Sequence, residues 1–149
     1  MIRLNRKVEY AIIALQHMSH GKPGTKFTAK EMSQTLNISF DTLSRALQNL
    51  CQHEILRAEH GAQGGYVLAR ELSGLSLLDV LIAIEGPTEV VRCVSGDTDC
   101  DLFDSCNVKS PMQKLNQKLE VFYKSLRLSD LLTIYPNRPE ELMPTEVQL

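Results

Sequence analysis

Three cysteines, Cys93, Cys100 and Cys106, fall within fourteen residues in the stretch CVSGDTDCDLFDSC. Six residues and then five separate them, with a glycine and four aspartates between, and the stretch has neither helical nor strand periodicity. A loop carrying three soft ligands can wrap around one thiophilic metal centre. Three metal chemistries compete for it. Structural zinc usually takes four protein ligands, commonly as two close pairs; here the gaps are wide and the nearest histidine is His60. Calcium is suggested by Asp97, Asp99 and Asp101 at alternate positions, but Leu102 stands where such a loop needs glycine and Val108 where it needs a bidentate glutamate. An iron–sulfur cluster tolerates wide spacing, because each thiolate need reach only a different corner of the inorganic core. Three thiolates then leave one iron position free for a weaker ligand, which suits sensing.

The remaining chain must position that loop. At 149 residues it has room for one or two small domains. It contains no run of eighteen apolar residues, and AIIAL near the start is too short for the apolar part of a signal peptide. The expectation is a soluble cytoplasmic protein with no membrane partner, whose cysteines stay reduced. The net charge of −2 hides an asymmetry: residues 1–70 carry nine Lys or Arg against five Asp or Glu, and residues 71–149 seven against thirteen. A positive amino-terminal half is where a phosphate backbone would dock, with the acidic loop held away from it.

Leu4, Val8, Ala11, Leu15 and Met18 recur at helical spacing and predict a first helix that ends near Gly21 and Pro23-Gly24, with Glu9 beside the apolar stripe. Thr28-Ala-Lys-Glu31 fits a capping box ahead of a short helix that reaches Asn37. Ser39 can cap the next helix, whose apolar positions are Phe40, Leu43, Ala46, Leu47 and Leu50. Two short helices joined by a tight turn form a helix-turn-helix, and Thr42, Ser44, Arg45, Gln48 and Asn49 are available on the outer face of the second. Arg can fork onto guanine, and Gln or Asn onto adenine, in a major groove; a hydrated helix face is the alternative.

ILRAEH, GAQGG and YVLAR then read as a two-stranded hairpin around a glycine-rich loop, the wing of a winged helix-turn-helix. Arg57, His60 and Gln63 fall on or near its tip. With Thr28 and Ser39 at helix starts and Thr42, Ser44, Arg45 and Gln48 on the second helix, they complete the candidate DNA-contacting set. Cys51 reads as a partly buried thiol and not as a ligand. Ser76 caps a further apolar helix, LLDVLIAIE, ended by Gly86-Pro87. Past the cysteines, Ser110-Pro111 supplies an N-cap and a proline at the first helical position, and Met112, Leu115, Leu119, Phe122 and Leu126 make a narrow heptad seam suited to pairing with a twin.

In this order the elements resemble the Rrf-two family of bacterial winged-helix transcription regulators, of the IscR, NsrR and RirA types. The residues that carry the resemblance are RLNRKVEYAIIAL, NISFDTLSRALQNL, GAQGGYVLAR, SLLDVLIAIEGP, the three cysteines and LRLSDLL, covering residues 1 to about 132. The resemblance implies a homodimer on double-stranded operator DNA and an iron–sulfur cluster, [4Fe–4S] ahead of [2Fe–2S], held by Cys93, Cys100 and Cys106. It also implies a fourth ligand, Glu9, reaching the cluster of the opposite subunit. Four features depart from the family pattern: Lys109 stands where IscR-like members place a histidine ligand, Glu9 where NsrR-like members have aspartate, His60-Gly61 where many relatives have Arg-Gly, and six residues make the first gap between cysteines.

The expected architecture is mainly α with a small β wing. A winged helix-turn-helix domain spans 1–86, a cluster-binding loop 87–108, a dimerisation helix 109–132 and a flexible tail 133–149. The expected function is that of a repressor whose DNA affinity follows iron, cluster status, redox state or nitric oxide. The alternative is a winged-helix regulator sensing through cysteine oxidation or zinc. No nucleophile–base constellation or phosphate-binding loop suggests an enzyme.

Overall fold

Asn5 opens the fold: its side-chain oxygen accepts the amide of Lys7 at 3.0 Å and satisfies one of the free donors at a helix start. The computed structural model describes residues 4–61, 64–91, 93, 96 and 100–133. Helix α1, Arg6–Ser19, buries Val8, Ala11, Ala14, Leu15 and Met18. Leu4, expected on that stripe, lies ahead of the helix and is 41% exposed.

Helix α2, Ala29–Leu36, begins at the capping box expected of Thr28 and Glu31 and ends at Asn37, whose φ of 53° is left-handed. Asparagine tolerates that conformation better than most residues, and it turns the chain directly into α3, Phe40–Gln52. Leu43, Ala46, Leu47 and Leu50 of α3 are buried as expected, but Phe40 is 52% exposed. Phe40 is the first residue of the helix, at its solvent-exposed end. Ser39 occupies the cap position without making a side-chain cap bond.

The wing consists of β1, Leu56–Glu59, and β2, Gly65–Leu68, antiparallel with Leu56 opposite Leu68 and Glu59 opposite Gly65. It is fastened to the helices through Phe27, which exchanges backbone hydrogen bonds with Tyr66 at 2.9 and 2.8 Å. Helix α4, Leu77–Glu85, follows a 3-10 turn over Leu72–Gly74. Helices α1, α3 and α4 pack on one another and α2 on α3, around a core in which Leu15, Leu43, Leu47 and Leu50 are fully covered. Truncating any of these leucines to alanine costs about 2–5 kcal/mol.

Helix α5 spans Lys109–Ser125, with Val108 and not Ser110 at its cap position, so Pro111 sits in its first turn. The helix expected over 109–132 is divided in two. Leu126 is extended, and α6, Leu128–Thr133, follows. The break is imposed from a distance: Leu77 donates its amide to Leu126 at 2.8 Å and Leu128 donates to Leu75 at 2.9 Å, a two-stranded bridge that fixes the end of α5 on the start of α4. The expected flexible tail lies outside the described residues apart from Thr133, the last residue of α6.

Candidate functional site

Two groups of residues carry chemistry, a polar face on the winged domain and the cysteine loop. On the winged domain, an open groove is lined by Ser39, Asp41, Thr42, Arg45, Gln48 and Asn49 of the α3 segment, with Lys7 of α1 and Ile84 of α4. Four expected DNA-contacting residues, Ser39, Thr42, Arg45 and Gln48, therefore share one surface, while Ser44 is absent from that lining. Thr42 donates to Ser39 at 3.4 Å, a long bond between two hydroxyls that leaves both free to rearrange. Arg45 is exposed. Lys7 was not singled out by sequence; its placement one helical turn before Ala11 gives no sign that α1 brings it to α3.

Thr28 is committed elsewhere. Its hydroxyl donates to Glu31 at 2.8 Å and accepts the Glu31 amide at 3.1 Å, so its side chain is occupied by the start of α2. On the wing, Arg57 lies two residues before the end of β1 and donates to Glu59 at 3.3 Å. Lys26 meets the same carboxylate at 2.7 Å, and that hydrogen bond, aided by Arg57, holds Glu59 below the usual carboxylate range. His60 is exposed at the tip, and Gln63 lies outside the described residues. The glycines of the tip have a packing reason. A Cβ on Gly64 would lie 2.7 Å from the Glu59 carbonyl oxygen, and one on Gly65 2.9 Å from that of Phe27.

The cysteine loop rests on α5. All four cysteines are free; Cys93 and Cys106 are half-buried and Cys100 is exposed. Among the described residues no three His, Cys, Asp or Glu side chains converge on one point that could hold a metal ion. The chemistry of the donor set nevertheless fits a thiophilic centre, since three unpaired and solvent-reachable thiols lie on a single loop. Asp97 and Asp99 lie outside the described residues. Phe103 donates its amide to Cys100 at 2.9 Å and Ser105 to Leu102 at 3.1 Å, two turns that carry the chain to Cys106. Lys109, at the start of α5, sits 3.4 Å above the Phe103 ring, so its ammonium is engaged by an aromatic face. Glu9 is exposed in the first turn of α1 and forms no ion pair among the described residues. Cys51, as expected, is apart from the loop, and burial pushes its thiol up.

At the other end of the loop, Asn116 is the buried residue of α5. Its side-chain oxygen accepts the Val90 amide at 3.0 Å, and its nitrogen donates to Glu120 at 2.9 Å. Thr88 donates to the same glutamate oxygen at 3.2 Å. Sequence marks Glu120 only as a charged flank of the seam and gives no sign of the roles of Asn116, Thr88 and Val90. The seam is partly open: Leu115 and Phe122 are 40% and 53% exposed, Met112 and Leu119 half-buried, and Leu126 half-buried against the core; Val121 beside it is 70% exposed.

The comparisons with known proteins agree with this geometry. The sequence model of the Rrf2 family, described as an iron-dependent transcriptional regulator, matches residues 4–134. A protein of Mycobacterium tuberculosis named as an HTH-type transcriptional regulator is 33% identical over 91 residues, 61% of this chain and 56% of that protein. The match thus spans little more than half of that relative. The HTH-type transcriptional regulator IscR of Sodalis glossinidius is 24% identical over 89% of this chain and 79% of its own length. In fold, the chain is similar to CymR, the global cysteine regulator of B. subtilis, with a TM-score of 0.64 at 21% identity over 91% of this chain and all of that one. It is also similar to IscR of T. potens, with a TM-score of 0.61 at 22% identity over 89% and 87%. These relatives are named as transcriptional regulators and not as enzymes. Among the described residues no helix is long and apolar enough to cross a membrane. With a family match over nearly its whole length and a winged helix-turn-helix fold, this chain belongs to the Rrf2 family of transcriptional regulators.

Proposed function

We propose that the chain is a cytoplasmic homodimeric repressor whose affinity for operator DNA is set by an iron–sulfur cluster, [4Fe–4S] ahead of [2Fe–2S], on Cys93, Cys100 and Cys106. The observation that carries this reading is the loop itself: three free thiols, none paired in a disulfide, on one segment attached to α5. The iron-dependent description of the matched family and the similarity to IscR support it. A bound cluster would supply an oxidant-labile iron corner, the property that makes it a sensor of iron, redox state or nitric oxide.

The chain's own residues supply the rest. Arg45 and Gln48 of α3 read base edges in a major groove, and Lys7 meets the phosphate backbone beside them. His60, with Gln63, meets the DNA backbone or minor groove from the wing. Two copies pair along the exposed apolar face of α5 and place two α3 helices about one DNA turn apart. Glu9, exposed and without an ion pair among the described residues, provides the fourth ligand across that dimer. The connection from loop to reading head runs through hydrogen bonds and packed helices. The loop lies on α5, and the end of α5 is bridged to α4, which packs against α3.

A second reading, thiol oxidation without a cluster, is favoured by the exposure of Cys100. Anaerobic purification with iron and sulfide analysis separates the two. Iron and sulfide in equal amounts, lost together in a Cys93→Ser, Cys100→Ser, Cys106→Ser variant, support the cluster. A metal-free protein whose DNA affinity still changes on mild oxidation supports the thiol reading instead.

A further inference from the structure

The buried residue of an otherwise solvated helix is polar, and its partners lie in the segment that leads to Cys93. Asn116, 4% exposed, is bonded on both atoms of its amide. Its oxygen accepts from the Val90 backbone, and its nitrogen donates to Glu120, which also accepts from the Thr88 hydroxyl. Four groups are thereby closed into one network, whose two links between the loop stem and α5 span 26 and 32 residues in sequence. An apolar side chain at position 116 would have packed against the loop stem without fixing its register. A doubly bonded amide fixes both the height of residues 88–90 along α5 and the direction in which the chain departs toward Cys93, because hydrogen bonds are directional and a buried unpaired partner is costly.

We propose that Asn116 and Glu120 are positioning residues that clamp the stem of the cysteine loop to α5, so that a change at the cysteines is delivered to this helix. The inference rests on the sensing role proposed above and adds to it the route by which the loop acts. The stem is held at residues 88–90, and Val90 lies three residues before Cys93. Strain in the loop cannot dissipate there without breaking the Val90–Asn116 bond. It passes into α5, and from the end of α5 through the bridge between Leu126–Leu128 and Leu75–Leu77 into α4. Glu120 orients Asn116 through the 2.9 Å bond, which fixes the amide oxygen toward Val90 and not away from it.

The test uses the full chain with three substitutions. Asn116→Ala removes the clamp. Thr88→Val removes one bond at a half-buried position with little change in shape, so it stays folded even if the first does not. Glu120→Gln keeps an acceptor for both donors and serves as the conservative rescue. The first readout is the rate at which a maleimide alkylates Cys93 in reduced, metal-free protein, with Cys51 as internal reference. The expected rise is about fivefold to tenfold in Asn116→Ala, the factor by which losing one ordinary hydrogen bond shifts an opening equilibrium. A smaller rise is expected in Thr88→Val and none in Glu120→Gln. The second readout is the ratio of DNA affinities between cluster-loaded and metal-free protein, expected to fall at least about fivefold in Asn116→Ala with metal-free affinity unchanged. Parent-like alkylation in both Asn116→Ala and Thr88→Val overturns the clamp. Faster alkylation with an unchanged affinity ratio overturns the coupling. A parent chain whose affinity ignores the cluster refutes the sensing reading and the coupling, while the alkylation rates still decide the clamp.

Discussion

Replacing Gly65 with alanine tests the geometry of the wing. An added Cβ would lie 2.9 Å from the carbonyl oxygen of Phe27 and 3.3 Å from its carbonyl carbon. Both are backbone atoms, so no flexible side chain can swing aside. Phe27 is also held in place by its two hydrogen bonds with Tyr66, at 2.9 and 2.8 Å. The wing must therefore shift away from the α1–α2 connection and lose one or both of those bonds, each contributing about 0.5–1.5 kcal/mol. The lower chain entropy of alanine in the unfolded state offsets about 0.4–1 kcal/mol of that loss. The net destabilisation is about 1–2 kcal/mol, or a fall in Tm of roughly 2–8 °C for a chain of this size. Gly74→Ala is the control: its Cβ meets nothing within 4 Å and its φ is not positive, so it should be neutral or slightly stabilising. Thermal unfolding by circular dichroism reads both variants under identical conditions. If Gly65→Ala is as stable as Gly74→Ala, the Phe27–Tyr66 bridge does not hold the wing as described.

Three further outcomes follow from particular contacts. Arg45→Ala should leave Tm unchanged, since Arg45 is exposed, and cost about 1–3 kcal/mol at a specific DNA site; equal weakening on all sequences would reassign it to phosphate. Burial pushes the Asp79 carboxyl up, but hydrogen bonds from the Ser76 amide and hydroxyl, with Arg70 and Arg127 nearby, outweigh it and hold the carboxyl below its ordinary value. Its stabilising effect is thus complete above the unfolded value of about 3.9 and is lost as pH falls through the lower folded one. Asp79→Asn should flatten the fall in denaturant midpoint below about pH 4; identical slopes in parent and variant would leave the carboxylate without that role. Phe122→Ala should weaken self-association roughly thirtyfold, the change that 2 kcal/mol brings, without lowering Tm in the dissociated chain. Sedimentation that shows an unchanged dimer would move the interface off this face of α5.

What the sequence made legible was what neighbours along the chain decide. The capping box at Thr28, the cap at Ser76, the Asn37 turn and the Leu43–Leu50 face of α3 each depend on residues within a few positions, and all are present. The misread features depend on distant partners. Nothing near Leu126 announces that α5 stops there, because the cause is the backbone of Leu75 and Leu77. Nothing near Asn116 marks it as buried, because its partner, the Val90 amide, lies 26 residues away. Pro111 marked a helix start correctly but not its first residue, since a first-turn proline has no amide to lose at several positions. Phe40 had the right spacing for the core and the wrong end of the helix. The cysteines were legible as donors from their type alone, while their convergence on the proposed cluster is not something side-chain spacing can supply.

The central claim is that occupancy of the three-cysteine loop sets DNA affinity. The most direct measurement is the affinity of anaerobically purified protein for a duplex it selects from a random-sequence pool, before and after iron is removed, at one fixed salt concentration. The account predicts a change of at least about tenfold, the coupling that roughly 1.4 kcal/mol between two sites produces, and no change in a chain with Cys93, Cys100 and Cys106 replaced by serine. Equal affinity with and without iron in the parent chain would contradict it.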